Sequence, residues 1–449
     1  MGDATKGKGD EATMSVTTGI TLTENGVREL SELLGEPTWL REKRLAAWRA
    51  YCDLALPRWD RTDLAGLNLG ELVVHDGERR ALSADELPAS VGRAAAGRDG
   101  DGEAVVVQVN SGGVWARVPE SLQSRGVIVC DFPTAVQKHE EILRRHYMSA
   151  VPFDEDKLVA LHYAAASSGF LVYVPRNTAV EVPVELRIDA GRAGLGLFPH
   201  ILVVAEQGAE VTILEVVRSE DGTEQRVVSQ VVEICPQDGA QVRYGAIQSW
   251  GDATYNFTAR RALLRRDARV EWMGGDFGSR LSRSHVRSIL EGTGSESTNL
   301  SVFYGARNQH LDLGITMRHV GDHTASDMVT KGVLDGRARV VYRGLTDIEN
   351  GARFTSAFQR ENTMLLSEEA RSDAIPGLEI DETEVQAGHA ATVGQIDKVH
   401  LFYLMSRGLP KQEAIRLIVE GFFDPVLQRM PVERVRREIQ ALIEGKMKG

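Results

Sequence analysis

Hydrophobic and polar positions divide the chain into helical ends and a long strand-rich middle. Over residues 38–54 the apolar side chains Trp39, Leu40, Leu45, Ala46 and Trp48 stand among Arg and Glu. That spacing predicts an amphipathic helix, which Pro57 and the Asp60–Asp63 cluster end. Residues 64–132 alternate short apolar runs (71–74, 104–109 and 127–129) with Gly- and Asp-rich turns. Two further helices are predicted over 134–147 and 154–166, the second opened by acidic residues that suit a helix N-terminus. From about residue 171 the pattern becomes short apolar strands and stays so until about residue 395.

A small turn signature recurs within the strand region. It reads Gly208-Ala209-Glu210-Val211, Gly239-Ala240-Gln241-Val242, Asp267-Ala268-Arg269-Val270, Arg337-Ala338-Arg339-Val340 and Gly351-Ala352-Arg353-Phe354. Four of the five alanines fall on a grid of 14 residues. Repeated turns and short strands with no helix between them predict a parallel β-helix, or solenoid, whose coils bury their apolar faces on one another. A β-sandwich is the competing arrangement, but its loops have no reason to keep register.

Past residue 394 helical periodicity returns. The segment 399–405, with Leu401, Phe402, Tyr403 and Leu404, carries more apolar surface than one helix face needs. Pro410 opens a helix striped by Ala414, Ile415, Ile418, Val419 and Phe422, and Pro425 is expected to break it. Pro431 opens a last helix with Val432, Val435, Ile439, Leu442 and Ile443. The expected division is a disordered tail over 1–19, a mixed helical domain over 20–170, a β-solenoid over 171–395 and a helical domain over 396–449.

Composition narrows the function classes. With 42% hydrophobic and 26% charged residues in 449, the chain has the makeup of a soluble protein with a large core. Its formal charge of -12 argues against a nucleic-acid binder. No apolar run approaches the roughly 20 residues of a membrane helix. The polar opening residues lack the centre of a secretion signal and read as a tail, with Met14 as an alternative start. Cys52, Cys130 and Cys235 lie far apart, which fits a reducing, cytoplasmic setting and excludes a disulfide framework.

Most catalytic motifs are missing. There is no phosphate loop, no dinucleotide fingerprint and no nucleophile elbow. His139-Glu140 does not become a zinc-protease motif, because Leu143 stands where the second histidine belongs. His310, His319 and His323, with Asp312 and Asp322, are candidate metal ligands, and His310 and Asp312 share a face of a regular strand. Their turn-rich setting speaks for ordinary surface polarity. Cys130 and Cys235 sit at the ends of apolar runs, like small buried hydrophobes rather than reactive thiolates. Cys52 has no motif. His389 stands in the run Gly388-His389-Ala390-Ala391, preceded by Glu379, Asp381, Glu384 and Val385. An imidazole with so little bulk around it either caps a tight strand crossing or is meant to be reached. As a neutral ring it can ligate iron or shuttle a proton.

The order of segments at this junction is long and unusual: Ile375-Pro376-Gly377-Leu378-Glu379-Ile380, then GHAATVG at 388–394, then LFYLMSRG at 401–408. It resembles the SufB/SufD family of iron–sulfur cluster assembly scaffolds, and its SufD branch more than its SufB branch. Similar pieces recur at 35–45, 151–162, 172–186, 201–215, 260–272, 309–313 and 331–344. The resemblance implies a right-handed parallel β-helix between helical ends. It implies a complex with a SufB-like subunit and two copies of a SufC-like ATPase, with a nascent cluster or iron at the SufB–SufD contact. Phe402, Tyr403, Arg407, Phe422 and Phe423 fall where the family docks its ATPase. Ala370 and Ala390 depart from the SufB pattern, which has a sulfur-accepting cysteine and a glutamate there. The expected role is a non-catalytic scaffold subunit whose His389 faces iron or the cluster. No cofactor is expected on the chain alone; a homodimer of the isolated chain and a flavin in the assembled complex are compatible with this reading. The competing classes are a β-helix enzyme acting on polysaccharide, with Tyr244, Trp250, Tyr255, Trp272, Phe303 and Tyr304 as its aromatics, and a purely structural adaptor.

Overall fold

The structure is a computed structural model that describes residues 19–70, 72–77, 79–88 and 103–448. The expected tail and Met14 therefore lie outside the described residues, apart from Gly19. Val-, Ile- and Thr-rich segments from Ser168–Val174 to Gln386–Gln395 form a parallel β-solenoid. Successive strands alternate between two sheets, which among the described residues have 11 and 9 strands. Glu210, Gln241, Arg269, Glu296, Ala325, Ser356 and Gln386 are successive parallel partners in one sheet, 27 to 31 residues apart. One coil thus spans about twice the 14-residue grid of the alanines, because the chain turns a corner on each sheet.

One corner explains the turn signature. Gly208, Gly239, Asp267, Gly294, His323 and Phe354 all have left-handed backbone, with φ between 53° and 72°. Each donates its N–H to a turn carbonyl of the next coil at 2.7 to 3.1 Å. The residue after each (Ala209, Ala240, Ala268, Ser295, Thr324, Thr355) is buried, so only a small side chain fits. Glycine and Asp suit the left-handed position; His323 and Phe354 take it at a steric cost. Ala338 belongs to the opposite corner, ahead of Arg339–Ile348, and Ala352 stands three residues before Thr355, the shared-corner position that the other alanines occupy.

Helices cover the outer faces of both sheets. Thr38–Asp53, Phe132–Lys138, Glu140–His146 and Lys157–Ala165 pack on the smaller sheet around Leu171, Leu202, Val204 and Val231. The helix expected over 134–147 is split at His139, whose backbone leaves helical geometry. A buried carboxylate pins this layer down. Glu233 accepts the N–H groups of Met148, Ala150 and Val151 at 2.7 to 3.1 Å. On the larger sheet lie Lys411–Leu427 and Glu433–Lys448, which bury Val419, Phe423, Val426, Val435, Ile439 and Ile443 against Val302, Val329 and Val333. Pro425 does not break the first of these, contrary to expectation. It sits in the last turn, where its missing N–H costs a single bond and the helix ends at Leu427 anyway. Helix Glu24–Leu33, capped by Thr23, was not expected. At the N-terminal end of the solenoid the added strands run antiparallel: Ile128–Asp131 on Ser168–Val174, and Gly113–Arg117 on Val105–Val109. Among the described residues no helix is long and apolar enough to cross a membrane.

Phe423 has no exposed surface. Phe423→Ala is expected to cost about 3–5 kcal/mol of helix docking and to speed amide exchange across Lys411–Leu427. Unchanged protection in that helix would show that the ring is not its anchor.

Candidate functional site

The strands of the last coil, Arg371–Ile380 and Gln386–Gln395, end their respective sheets. Each pairs on one side only, with Arg339–Ile348 and Ser356–Leu365 respectively. Their outer N–H and C=O groups form two free edges at the mouth of the solenoid, open to another strand. No residue of these two strands is fully buried, whereas earlier strands are mostly buried. Ile380, Val393, Phe354 and Phe358 add exposed apolar surface there.

His389 is the register partner of Gln359. Gln359 is buried and alternates with buried Ala357, Glu361 and Thr363, so these four point into the solenoid. Parallel pairing puts Ala387, His389, Ala391 and Val393 on the same inward columns. His389 is nevertheless exposed, because no further coil covers it. The outward residues Gly388, Ala390, Thr392 and Gly394 are small. Ala370 is buried at the corner just ahead of Arg371–Ile380, where its N–H is bonded to Ser367 Oγ at 3.2 Å. Below Ala391, on the column next to that of His389, lies Glu361, whose carboxyl burial raises to about 7, partly offset by the Thr363 hydroxyl.

Beyond the mouth, the helix Lys398–Ser406 buries none of its residues. Val399 and Phe402 are 74% and 73% exposed, and Tyr403 and Met405 are exposed too. Asp397 caps this helix by accepting from Val399 and His400 N–H. Arg407 stacks over the Tyr403 ring at 5.1 Å and donates to its hydroxyl at 3.2 Å. Phe422 is half-buried, with the Lys331 ammonium 4.7 Å over its ring. Phe423 is fully buried, so of the five residues expected at a docking surface it holds the helix in place and presents nothing.

The expected histidine and aspartate ligands do not converge. His310 and Asp312 do share a face, and both meet the Thr62 hydroxyl, Asp312 at 2.6 Å and His310 at 3.5 Å. Asp312 is spent on Arg283 and Arg343. His319 is enclosed between Thr324 and Ser326, and burial pushes it down to about 4. His323 stacks on Phe354 at the surface beside Asp322. Among the described residues no three His, Cys, Asp or Glu side chains form a metal-binding group. Sequence reading missed Glu361, Gln359 and Tyr342 beneath the mouth. Strand alternation groups Gln359 with Glu361, but it gives no sign of which face is inside.

Residues 187–422 match the family described as SUF system FeS cluster assembly, SufBD core domain, and residues 103–186 match the SufBD protein N-terminal region. The chain is 32% identical to the iron–sulfur cluster assembly protein SufD of Bacillus subtilis (strain 168), over 97% of this chain and 100% of that relative. It is 31% identical to an iron–sulfur cluster assembly SufBD family protein of Staphylococcus aureus (strain MRSA252), over 95% and 93% of the two chains.

Burial, with Asp131 beside it, pushes the Cys130 thiol up to about 12, and burial with Glu233 does the same to Cys235. Only Cys52 is exposed. A thiol reagent at pH 8 is expected to label Cys52 quickly and the other two only on unfolding, as peptide mass mapping would reveal. Fast labelling of Cys235 would contradict the packing of Glu233 and its helices.

Proposed function

The chain belongs to the SufBD family of iron–sulfur cluster assembly proteins and is SufD-like; on that premise we propose that it is a scaffold subunit that completes an assembly site with a SufB-like partner. The observation that carries this reading is the mouth of the solenoid. Two unpaired strand edges lie side by side there, and an exposed imidazole stands between them on an inward column. Edge strands gain most by pairing with strands of another chain, since the backbone groups are already aligned. A partner seated on these edges would cover His389 and Val393 and place its own side chains against them. Iron or a nascent cluster is the substrate of such a site. His389 supplies a nitrogen ligand or carries a proton. Ala370, where a cysteine would stand in a SufB-like chain, offers no sulfur, so the thiolate must come from the partner.

The helix Lys398–Ser406 is the proposed dock for a SufC-like ATPase. Its exposed Val399, Phe402 and Tyr403, with Arg407 stacked alongside, have the aromatic and Arg composition of interface hot spots. Phe422 extends this surface at its edge. A polysaccharide enzyme finds no support. All six aromatics it would use as sugar platforms (Tyr244, Trp250, Tyr255, Trp272, Phe303, Tyr304) are buried.

Co-expression with SufB-like and SufC-like chains, followed by mass measurement of the intact complex, tests the pairing; recovery of this chain without either would end the proposal. His389→Ala is expected to leave that complex intact but lower cluster formation at least tenfold, about 1.4 kcal/mol or more; normal cluster yield would remove the histidine from the chemistry. Phe402→Asp is expected to weaken ATPase retention by about 2 kcal/mol or more and to spare the SufB-like partner. Loss of both partners together would place the helix in the fold rather than in the dock.

A further inference from the structure

The corners that lead from the larger sheet into the smaller one also line up, and the last helix ends beside them. Five of these turns lie at 220–225, 250–253, 277–280, 306–309 and 335–338. Between them and the C-terminal end of Glu433–Lys448 lies a cleft of about 760 Å³, a size that suits a small organic ligand. Its charged lining is Asp221, Asp252, Arg280, Arg307, Asp335 and Lys446. Gly445 leaves one side open, since a Cβ there would meet nothing within 4 Å.

Lys446 meets a neutral acceptor in this cleft. Its ammonium donates to Gln309 Oε1 at 2.7 Å, and among the described residues no carboxylate pairs with it. Gln309 is fixed in that orientation, because its Nε2 donates to Phe277 O and Ser279 O at 3.4 and 3.0 Å. Arg307, held by Asp221 at 3.1 Å and Asp252 at 3.7 Å, sets a second cation near the amine. Burial, then Arg307, with Asp221 opposing them, brings the Lys446 ammonium from an ordinary 10.5 down to about 8. Roughly 300-fold more of it is therefore free amine at neutral pH than of an ordinary lysine. Partly buried amines of this kind attack carbonyl carbon. Arg280 stands in the same lining. Its guanidinium is exposed and, among the described residues, has no ion pair or hydrogen bond, only the Tyr255 ring 5.9 Å away. Asp221 and Asp252 are occupied by Arg307, and Asp335 accepts the N–H of Gly336 at 2.8 Å. Two cations thus line the cleft with no carboxylate of their own, a balance that an anion completes.

We propose that this cleft binds a small anionic carbonyl compound, an aldehyde or α-keto acid, which Lys446 holds as an imine while Arg280 takes the phosphate or carboxylate. The unprotonated Lys446 nitrogen gives its electron pair to the carbonyl carbon. Both of its hydrogens leave with the carbonyl oxygen as one water, and a C=N bond replaces the C=O bond. No oxidant or reductant enters. The site goes beyond the proposed assembly role, since none of its residues belongs to the last coil or to the helix Lys398–Ser406.

Pyridoxal 5′-phosphate and glyoxylate are the probes, with pyridoxal as the comparison that lacks the anion. Each is added in limiting amount to the full-length chain, the imine is reduced with borohydride, and the adduct is placed by peptide mass mapping. Lys446 is expected to take up at least about tenfold more of an anionic probe than the exposed Lys398 or Lys411. Its labelling should reach half its plateau near pH 8, as the free amine forms. Arg280→Ala is expected to lower labelling by pyridoxal phosphate about tenfold and labelling by pyridoxal less than about twofold. Lys446→Arg should leave only background, with circular dichroism checking that its helix still forms. Whichever anionic probe labels better identifies the group that Arg280 takes, and either one supports the site. Labelling of Lys446 no greater than that of Lys398 and Lys411 overturns the proposal. An Arg280→Ala variant that keeps full labelling by both anionic probes overturns it too, leaving a reactive amine without a binding site.

Discussion

Each coil of the solenoid takes its backbone hydrogen bonds from the coil before it and the coil after it. A strand of this kind cannot satisfy itself, nor can it shift by one residue without turning its apolar side chains outward. That single requirement fixes much else. It stacks Val211 on Val242 and Val270, and it aligns Glu215 with Glu361 across the intervening coils. It also demands a left-handed residue at the shared corner, where the N–H must reach forward to the next coil. The same requirement goes unmet at the last coil, and there the candidate site lies.

Coverage by the helices stops short of that coil. The C-terminal helices lie over strands from Val184–Ala190 to Ala325–Leu334, and the N-terminal helices reach Ala259. Beyond them, among the described residues, a loop braces the smaller sheet. Asp60 accepts from Arg343, Arg61 pairs with Asp373 at 3.0 Å, and Thr62 donates to Asp312 at 2.6 Å. This strap ties the N-terminal domain to the final coils without covering their edges. The mouth is therefore held in place and still left bare, a combination that suits a surface meant to receive another chain.

The fold was legible because corner geometry writes itself into residue type. A left-handed position followed by a buried one selects Gly-Ala or Asp-Ala, and those pairs recur at Gly208, Gly239 and Asp267. Later coils use Gly294-Ser295, His323-Thr324 and Phe354-Thr355 at the same corner, which hid half the repeat. The small neighbours of His389 left a tight crossing and an accessible ring equally open; its exposure follows from its place on the last strand, which no further coil covers. The burial of Phe423 could not be anticipated: a helix rich in apolar residues does not declare which stripe meets the sheet, and Phe422 and Phe423 differ by one step of 100°. The polar interior beneath the mouth was equally hidden, since alternation separates Glu361 from Arg360 without saying which of them is inside.

The two ends of the solenoid differ. At the N-terminal end, Ile128–Asp131 and Gly113–Arg117 run against the direction of the stack, and helices pack on the first of them. A head-to-tail contact would need both ends to be adhesive, and such contacts repeat without limit. Strands that run against the stack cannot continue its parallel register, so the mouth of a second copy would find no continuation of the solenoid at this end.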